Sequence, residues 1–372
     1  MVKKILIICL LIIAGQFFNL PKAMANAPQI SADASCLYDT NANQVLWGKN
    51  IHQKRPPAST TKMMTAILIR NYCNLQSPVT ISQRADRTSG TAIGVKAGQV
   101  WLVEDLLKVA MTRSANDACV ALAEYMAGSE PLFGMLMTKK AAIIGARESN
   151  FVNASGLPSS YHQSSAYDLV RIGNALQHDP YLKQLVASAQ VEVKHPAYSE
   201  RLTVSNTNRL LTSYPGATGI KTGTTDAAGN CLVAAASREG RNLIAVVLHS
   251  NDRYRDSKAI LDYGYHSTRL TKILNSGEAY KYLRVQNGTR YRVAVQLARD
   301  SQLLMDSEDK RQLQQLVSMD YNPRAKIQKG QKLGQVLVFY CGERVDKIPL
   351  IAAEEVNARP TGIKFLWQKV RE

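Results

Sequence analysis

The chain has 372 residues, 45% of them hydrophobic and 20% charged, with 22 glycines and 13 prolines. These proportions belong to an ordinary globular protein and exclude a collagen-like, low-complexity or wholly disordered chain. The length suggests about two domains of ~150 residues each. A formal net charge of +17 favours association with polyanions: anionic lipid head groups, wall polymers or an acidic substrate. Nucleic acid is set aside, because no C-x2-C…H-x3-H finger or aromatic RNP-like strand occurs and the basic residues are dispersed.

Lys3 and Lys4 precede an apolar stretch from Ile5 to about Phe18, and Ala23-Met24-Ala25 gives a small-x-small cleavage pattern. Residues 1–25 therefore read as a signal peptide, which makes the mature chain an exported one at the outer face of the cytoplasmic membrane or in the cell envelope. An uncleaved anchor is the alternative. Cleavage would remove Lys3, Lys4 and Lys22 and no acidic residue, leaving a charge of +14.

Next come two short β-type runs, Gln29–Tyr38 and Gln44–Trp47, separated by a turn-rich Asp39–Asn43 and so predicted to form a hairpin. Pro56-Pro57-Ala58 stops extended structure. Ser59 is predicted to cap a buried helix that continues Thr-Thr-Lys-Met-Met-Thr-Ala-Ile-Leu-Ile. Helices follow over Val103–Met111, Asp117–Met126, Leu132–Ile144 and Ser165–Gln177, with Gly128, Gly145 and Gly156 as stops. Strand character returns at Gly219–Gly223, Cys231–Ala236 and Leu243–His249, before a closing helix over Lys258–His266. Strands at both ends of a helical block predict an α/β (α+β) domain over 26–270, an antiparallel sheet flanked by helices. From about Thr271 to 360, alternating runs punctuated by Asn287-Gly288, Gly330 and Cys341-Gly342 predict a small all-β sandwich domain. The last segment, 361–372, carries Ile363, Leu366, Trp367 and Val370 at helical spacing among Lys364, Lys369 and Arg371. It reads either as an amphipathic membrane-surface helix or as an end docked on the β-domain.

Five cysteines outlast the signal segment: Cys36, Cys73, Cys119, Cys231 and Cys341. They form no C-x-x-C, and Cys119 and Cys231 sit in apolar runs as small core residues. The six histidines show no H-x-x-x-H or H-x-H spacing, so neither a metal nor another cofactor is expected.

Three motifs carry chemistry. Ser59-Thr60-Thr61-Lys62 is an S-x-x-K, whose i, i+3 spacing lets the lysine amine reach the serine hydroxyl. A lysine shielded from water near other cations can be neutral enough to act as a base. Ser114-Ala115-Asn116 lies between two predicted helices, and Lys221-Thr222-Gly223 lies on a strand whose glycine admits a close backbone. The separations are 55 residues from Ser59 to Ser114 and 107 on to Lys221. With S-D-N in second place, this ordered triple is the signature of penicillin-binding proteins and class A β-lactamases.

On these motifs, with Asn153–Leu157, Ser165–Asp168 and Gly219–Thr225, residues 29–360 resemble the low-molecular-mass penicillin-binding proteins that are serine D-alanyl-D-alanine carboxypeptidases. The second motif is S-A-N, the form usual in those enzymes; Ser155 departs from a histidine common there. The resemblance implies a β-lactamase/penicillin-binding transpeptidase-like fold. It also implies roles: Ser59 as nucleophile, Lys62 as its base, and the backbone N–H groups of Ser59 and Thr224 as oxyanion hole. Ser114 with Lys221 would relay a proton, Asn116 would hold the peptide amide, and Lys221, Thr222, Gly223, Thr224 and Arg253 would bind substrate. Arg255 is a nearby alternative to Arg253. The implied partners are a peptidoglycan stem peptide ending in D-Ala-D-Ala and β-lactam inhibitors, with peripheral membrane contact through Ile363–Val370.

Two related activities stay open: a D,D-endopeptidase cutting cross-links, and a β-lactamase. A class A lactamase needs a deacylating glutamate, and between Gly145 and Pro180 the only acids are Glu148, Asp168 and Asp179, none in an E-x-x-x-N frame. A non-catalytic wall-scaffolding module is the remaining reading, and it predicts that Ser59→Ala leaves the cellular role unchanged.

Overall fold

The computed structural model describes residues 27–308 and 310–360. The signal segment and Ile363–Val370 lie outside the described residues.

A five-stranded antiparallel sheet runs in the order Gln44–Lys49, Ala34–Asp39, Arg241–Ser250, Gly229–Arg238, Ala217–Thr225. Both ends of the domain feed it, as the sequence suggested. Its central strands are buried on both faces. Cys231, Val233 and Ala235 point to a core shared with the helical block. Leu232, Ala234 and Ala236 point to a second core under the Arg253–Ser267 helix. The same split separates Ile244, Val246 and Leu248 from Leu243, Ala245 and Val247, which is the two-residue period of a strand. Cys119 and Cys231 lie in the first core.

The helical block contains Lys62–Tyr72, Val103–Thr112, Asn116–Ala127, Glu130–Ile143, Ala166–Gln177 and Pro180–Ala187. The Ser59 expectation is corrected. Ala58–Thr61 is a 3-10 turn, the α-helix starts at Lys62, and neither cap position makes a side-chain capping bond. The Ser59 hydroxyl is thereby left out of helix capping. In a 3-10 turn side chains at i and i+3 eclipse, so Ser59 and Lys62 stand over each other. The closing helix begins five residues earlier than expected, at Arg253, because Asp252 caps it through the N–H groups of Tyr254 and Arg255.

Beyond Ser267 the regular elements of the described residues, up to Ala352, are all β-strands. Arg269–Leu274 runs across residue 270 and pairs with Ser301–Met305. A second five-stranded sheet encloses a core of Val293, Val295, Val336, Val338, Ile348 and Leu350. Among the described residues no helix is long and apolar enough to cross a membrane.

Candidate active site

Ala217–Thr225 is an edge strand, and its Gly223 meets the Ala58–Thr61 turn. A Cβ at Gly223 would lie 2.9 Å from Ser59 N and 3.1 Å from Ala58 Cβ, so only glycine lets strand and turn approach backbone to backbone. Ala58 holds φ at 48° and Ser114 at 68°. Left-handed non-glycine residues are uncommon and cluster at functional sites.

Lys62 is fully buried. Its Nζ donates to Ser59 Oγ at 2.9 Å, Asn116 Oδ1 at 2.8 Å and the Ser155 carbonyl at 2.6 Å. Burial pulls its pKa down to about 8, against the opposing pull of Cys119 and Asp117. With three acceptors around it the charged amine uses all three N–H bonds. On losing a proton it can keep Asn116 and Ser155 and turn its lone pair to the Ser59 hydroxyl. Lys221 is also buried, and its Nζ donates to the Thr222 carbonyl at 3.0 Å. Burial and then the Lys62 charge hold its pKa well below the usual lysine range.

Asn116 is fixed at both ends, since its Nδ2 donates to the Ser89 carbonyl at 2.9 Å and Oδ1 faces Lys62. The Asp117 carboxylate accepts from the N–H groups of Ile93, Gly94 and Val95, which folds the preceding loop over the helix start. Asn116 N then donates to the Thr91 carbonyl at 2.7 Å. Ser114 Oγ makes no hydrogen bond among the described residues, and Ser114 and Ser59 line one cleft of about 360 Å³. Thr222, Thr224 and Arg253 line the same cleft. A larger hollow of about 430 Å³ beside Tyr167 and Glu343 holds no nucleophile with a base beside it, so size alone does not mark the site.

The two candidate arginines are placed differently. Arg253 donates to the carbonyls of Gly223 (2.8 Å) and Cys231 (3.1 Å), to Thr224 Oγ1 (2.7 Å) and to Asn230 Oδ1 (3.0 Å). Arg255 is exposed and pairs with Asp256. Sequence reasoning missed the backbone acceptor of Ser155, the Ser89–Thr91 loop, and Thr207, whose hydroxyl lies 2.7 Å from that of Thr222. Backbone carbonyls carry no residue signature, and a threonine in a polar loop has none either.

Among the described residues no cluster could hold a metal ion. The three acids weighed for a lactamase glutamate are engaged elsewhere: Glu148 with His52 and Ser165, Asp168 with the Glu148 amide and Ser149, Asp179 with Leu182 N and Arg70.

A buried amine against a serine hydroxyl, in a cleft beside the edge strand of the sheet, defines a serine-type acyl hydrolase. The chain belongs to the D-alanyl-D-alanine carboxypeptidase family, whose model matches residues 22–252, and residues 269–358 match the C-terminal domain of penicillin-binding protein 5. It is 29% identical to the D-alanyl-D-alanine carboxypeptidase DacF of Bacillus subtilis, over 88% of this chain and 86% of that one. Penicillin-binding protein 5 of Haemophilus influenzae superposes with a TM-score of 0.63 at 27% identity, covering 89% of this chain and 99% of that one. Penicillin-binding protein D2 of Listeria monocytogenes, solved in its ampicillin-bound form, gives 0.57 at 27% identity over 63% of this chain and 98% of that one.

Proposed function

We propose that this protein removes the terminal D-alanine from peptidoglycan stem pentapeptides through an acyl-enzyme on Ser59. The observation that carries the reading is the buried Lys62 amine 2.9 Å from Ser59 Oγ. Neutral Lys62 takes the hydroxyl proton as Ser59 Oγ attacks the carbonyl of the penultimate D-alanine. The N–H groups of Ser59 and Thr224 receive the developing oxyanion, worth roughly 3 kcal/mol per donor. Ser114, with Lys221 behind it, returns a proton to the departing D-alanine amine. Asn116 keeps one Nδ2 N–H beyond that given to Ser89 and offers it to the peptide amide carbonyl.

Thr222, Thr224 and Arg253 take the terminal carboxylate, and the open edge of Ala217–Thr225 pairs with the extended peptide as an added strand. Water then releases the trimmed peptide. A β-lactam enters the same route and stays on Ser59, since Glu148, Asp168 and Asp179 are all engaged away from it.

The proposal includes export by cleavage near residue 25, catalytic chemistry confined to 26–270, a β-domain over 271–360, and membrane-surface contact by 361–372. Incubation of the mature chain with a linear pentapeptide tests the activity: free D-alanine appears. Cutting of cross-linked dimers without D-alanine release would make it an endopeptidase, and rapid penicilloate release from benzylpenicillin would make it a lactamase.

A further inference from the structure

Residues 153–164 touch the catalytic turn at two points. The Ser155 carbonyl accepts from Lys62 Nζ at 2.6 Å, and His162 Nε2 lies 2.8 Å from Thr61 Oγ1, one residue before Lys62. Gly156, at φ 87°, makes this approach possible: a Cβ there would lie 1.9 Å from the Ala58 carbonyl oxygen.

His162 is 2% exposed and its ring meets Phe151 edge-on at 5.5 Å. Val152 N–H donates to its Nδ1 at 3.2 Å. A ring nitrogen that accepts from a backbone amide carries no proton, which assigns the hydrogen to Nε2 and makes His162 a neutral donor to Thr61. Burial and the nearby Lys62 charge push its pKa down to about 4, in keeping with that tautomer. On its outer side His162 closes a surface hollow of about 340 Å³, which Lys54, Arg55, Pro158 and Gln163 also line.

We infer that His162 is a positioning residue for Lys62: it clamps the 153–164 segment to Thr61, holds the Ser155 carbonyl on the amine and keeps the hollow's water away from it. The inference rests on Ser59 and Lys62 forming the acylating pair. Other groups face Lys62 as well. Ser59 belongs to its own turn; Asn116, Asp117 and Cys119 come from the Asn116–Ala127 helix; Lys221 comes from the edge strand. Of these, Asp117 and Cys119 favour the charged amine and Lys221 opposes it. None of them changes when His162 is replaced, so a shift on replacement reports the clamp and the water it excludes.

The test is the acylation rate constant of the full chain with a fluorescent penicillin, measured from pH 6 to 10 for wild type, His162→Ala, His162→Gln and Thr61→Val. Admitting water returns Lys62 toward the ordinary lysine range. The midpoint of the His162→Ala and Thr61→Val profiles moves up by about one pH unit, roughly tenfold slower at neutral pH, and the rates converge with wild type at the alkaline end. His162→Gln keeps a donor to Thr61 and stays within about twofold of wild type. A uniform loss at every pH, with the midpoint unmoved in both shifted variants, overturns the inference. If His162→Ala does not fold, Thr61→Val decides alone. A wild type that takes no penicillin on Ser59 defeats the acylation reading itself; a reactive wild type with unshifted variants defeats only the role of His162.

Discussion

Gly223 and Ser59 belong to segments far apart in sequence, yet the Cα of one sits against the amide nitrogen of the other, with room for no side-chain atom between them. The edge strand and the nucleophile turn therefore approach backbone to backbone at Gly223. Gly223→Ala forces them apart by several tenths of an ångström. A misplacement of ~1 Å in a preorganised site costs about 100-fold in rate, so a shift of several tenths costs about tenfold. Penicillin acylation should fall by that order, while far-UV circular dichroism stays native.

The pH profile of wild-type acylation has a definite sign. In the proposed mechanism Lys62 acts as base only when neutral, and burial pulls its pKa down to about 8. The rate therefore rises about tenfold per unit as pH increases toward that value and levels off above it. A profile that instead declines from pH 6 to 8 would require a different base.

Arg253 spans four acceptors on two strands. Arg253→Lys keeps a positive charge but loses the planar fork that reaches them. Charge-assisted hydrogen bonds of this kind are worth about 1.5–3 kcal/mol, so KM for a peptide ending in a free carboxylate should rise roughly 10- to 100-fold. A peptide with an amidated C-terminus should show much less difference between the two proteins.

Asp117 is a stability residue with a catalytic consequence. Its carboxylate gathers the N–H groups of Ile93, Gly94, Val95 and Ala118. Asp117→Asn turns one acceptor into a donor facing donors, at a cost of about 3 kcal/mol. Calorimetry should show Tm lowered by several degrees, with the Ser89–Thr91 loop less protected from hydrogen exchange.

His162 also sets an acid limit on stability. Its folded pKa is depressed from 6.5 to about 4 by burial, so between those values the unfolded chain binds the extra proton. Its contribution is complete above pH 6.5 and is lost as pH falls through about 4, amounting to about 3 kcal/mol. Urea unfolding at pH 7 and pH 4 should show this loss in wild type and a smaller one in His162→Gln.

The proposed catalytic residues were legible in the sequence as candidates, because side-chain chemistry at fixed spacing survives folding, and the structure brings Ser59, Lys62 and Asn116 within hydrogen-bond reach. Ser59 and Lys62 need only i, i+3, and the order of the three motifs supplied the rest. Their local setting was less legible. A serine ahead of an apolar run is equally a cap and the start of a 3-10 turn, and the Gly223 and Gly156 contacts that decide between them are long-range. The polar Arg253–Asp256 turn lacks apolar periodicity, so the helix start was placed too late. The Gln190–Val193 and Leu202–Ser205 hairpin was missed because its strands are short and largely exposed. Ser155 acts through its carbonyl, which any residue could supply.

Electrospray mass measurement of the full chain after benzylpenicillin, with peptide mapping of the product, tests the Ser59–Lys62 pair most directly. One penicilloyl group should appear, persist for minutes or longer, and map to the peptide that carries Ser59, with none on Ser59→Ala. An adduct on another residue, or an unmodified chain, would contradict the account.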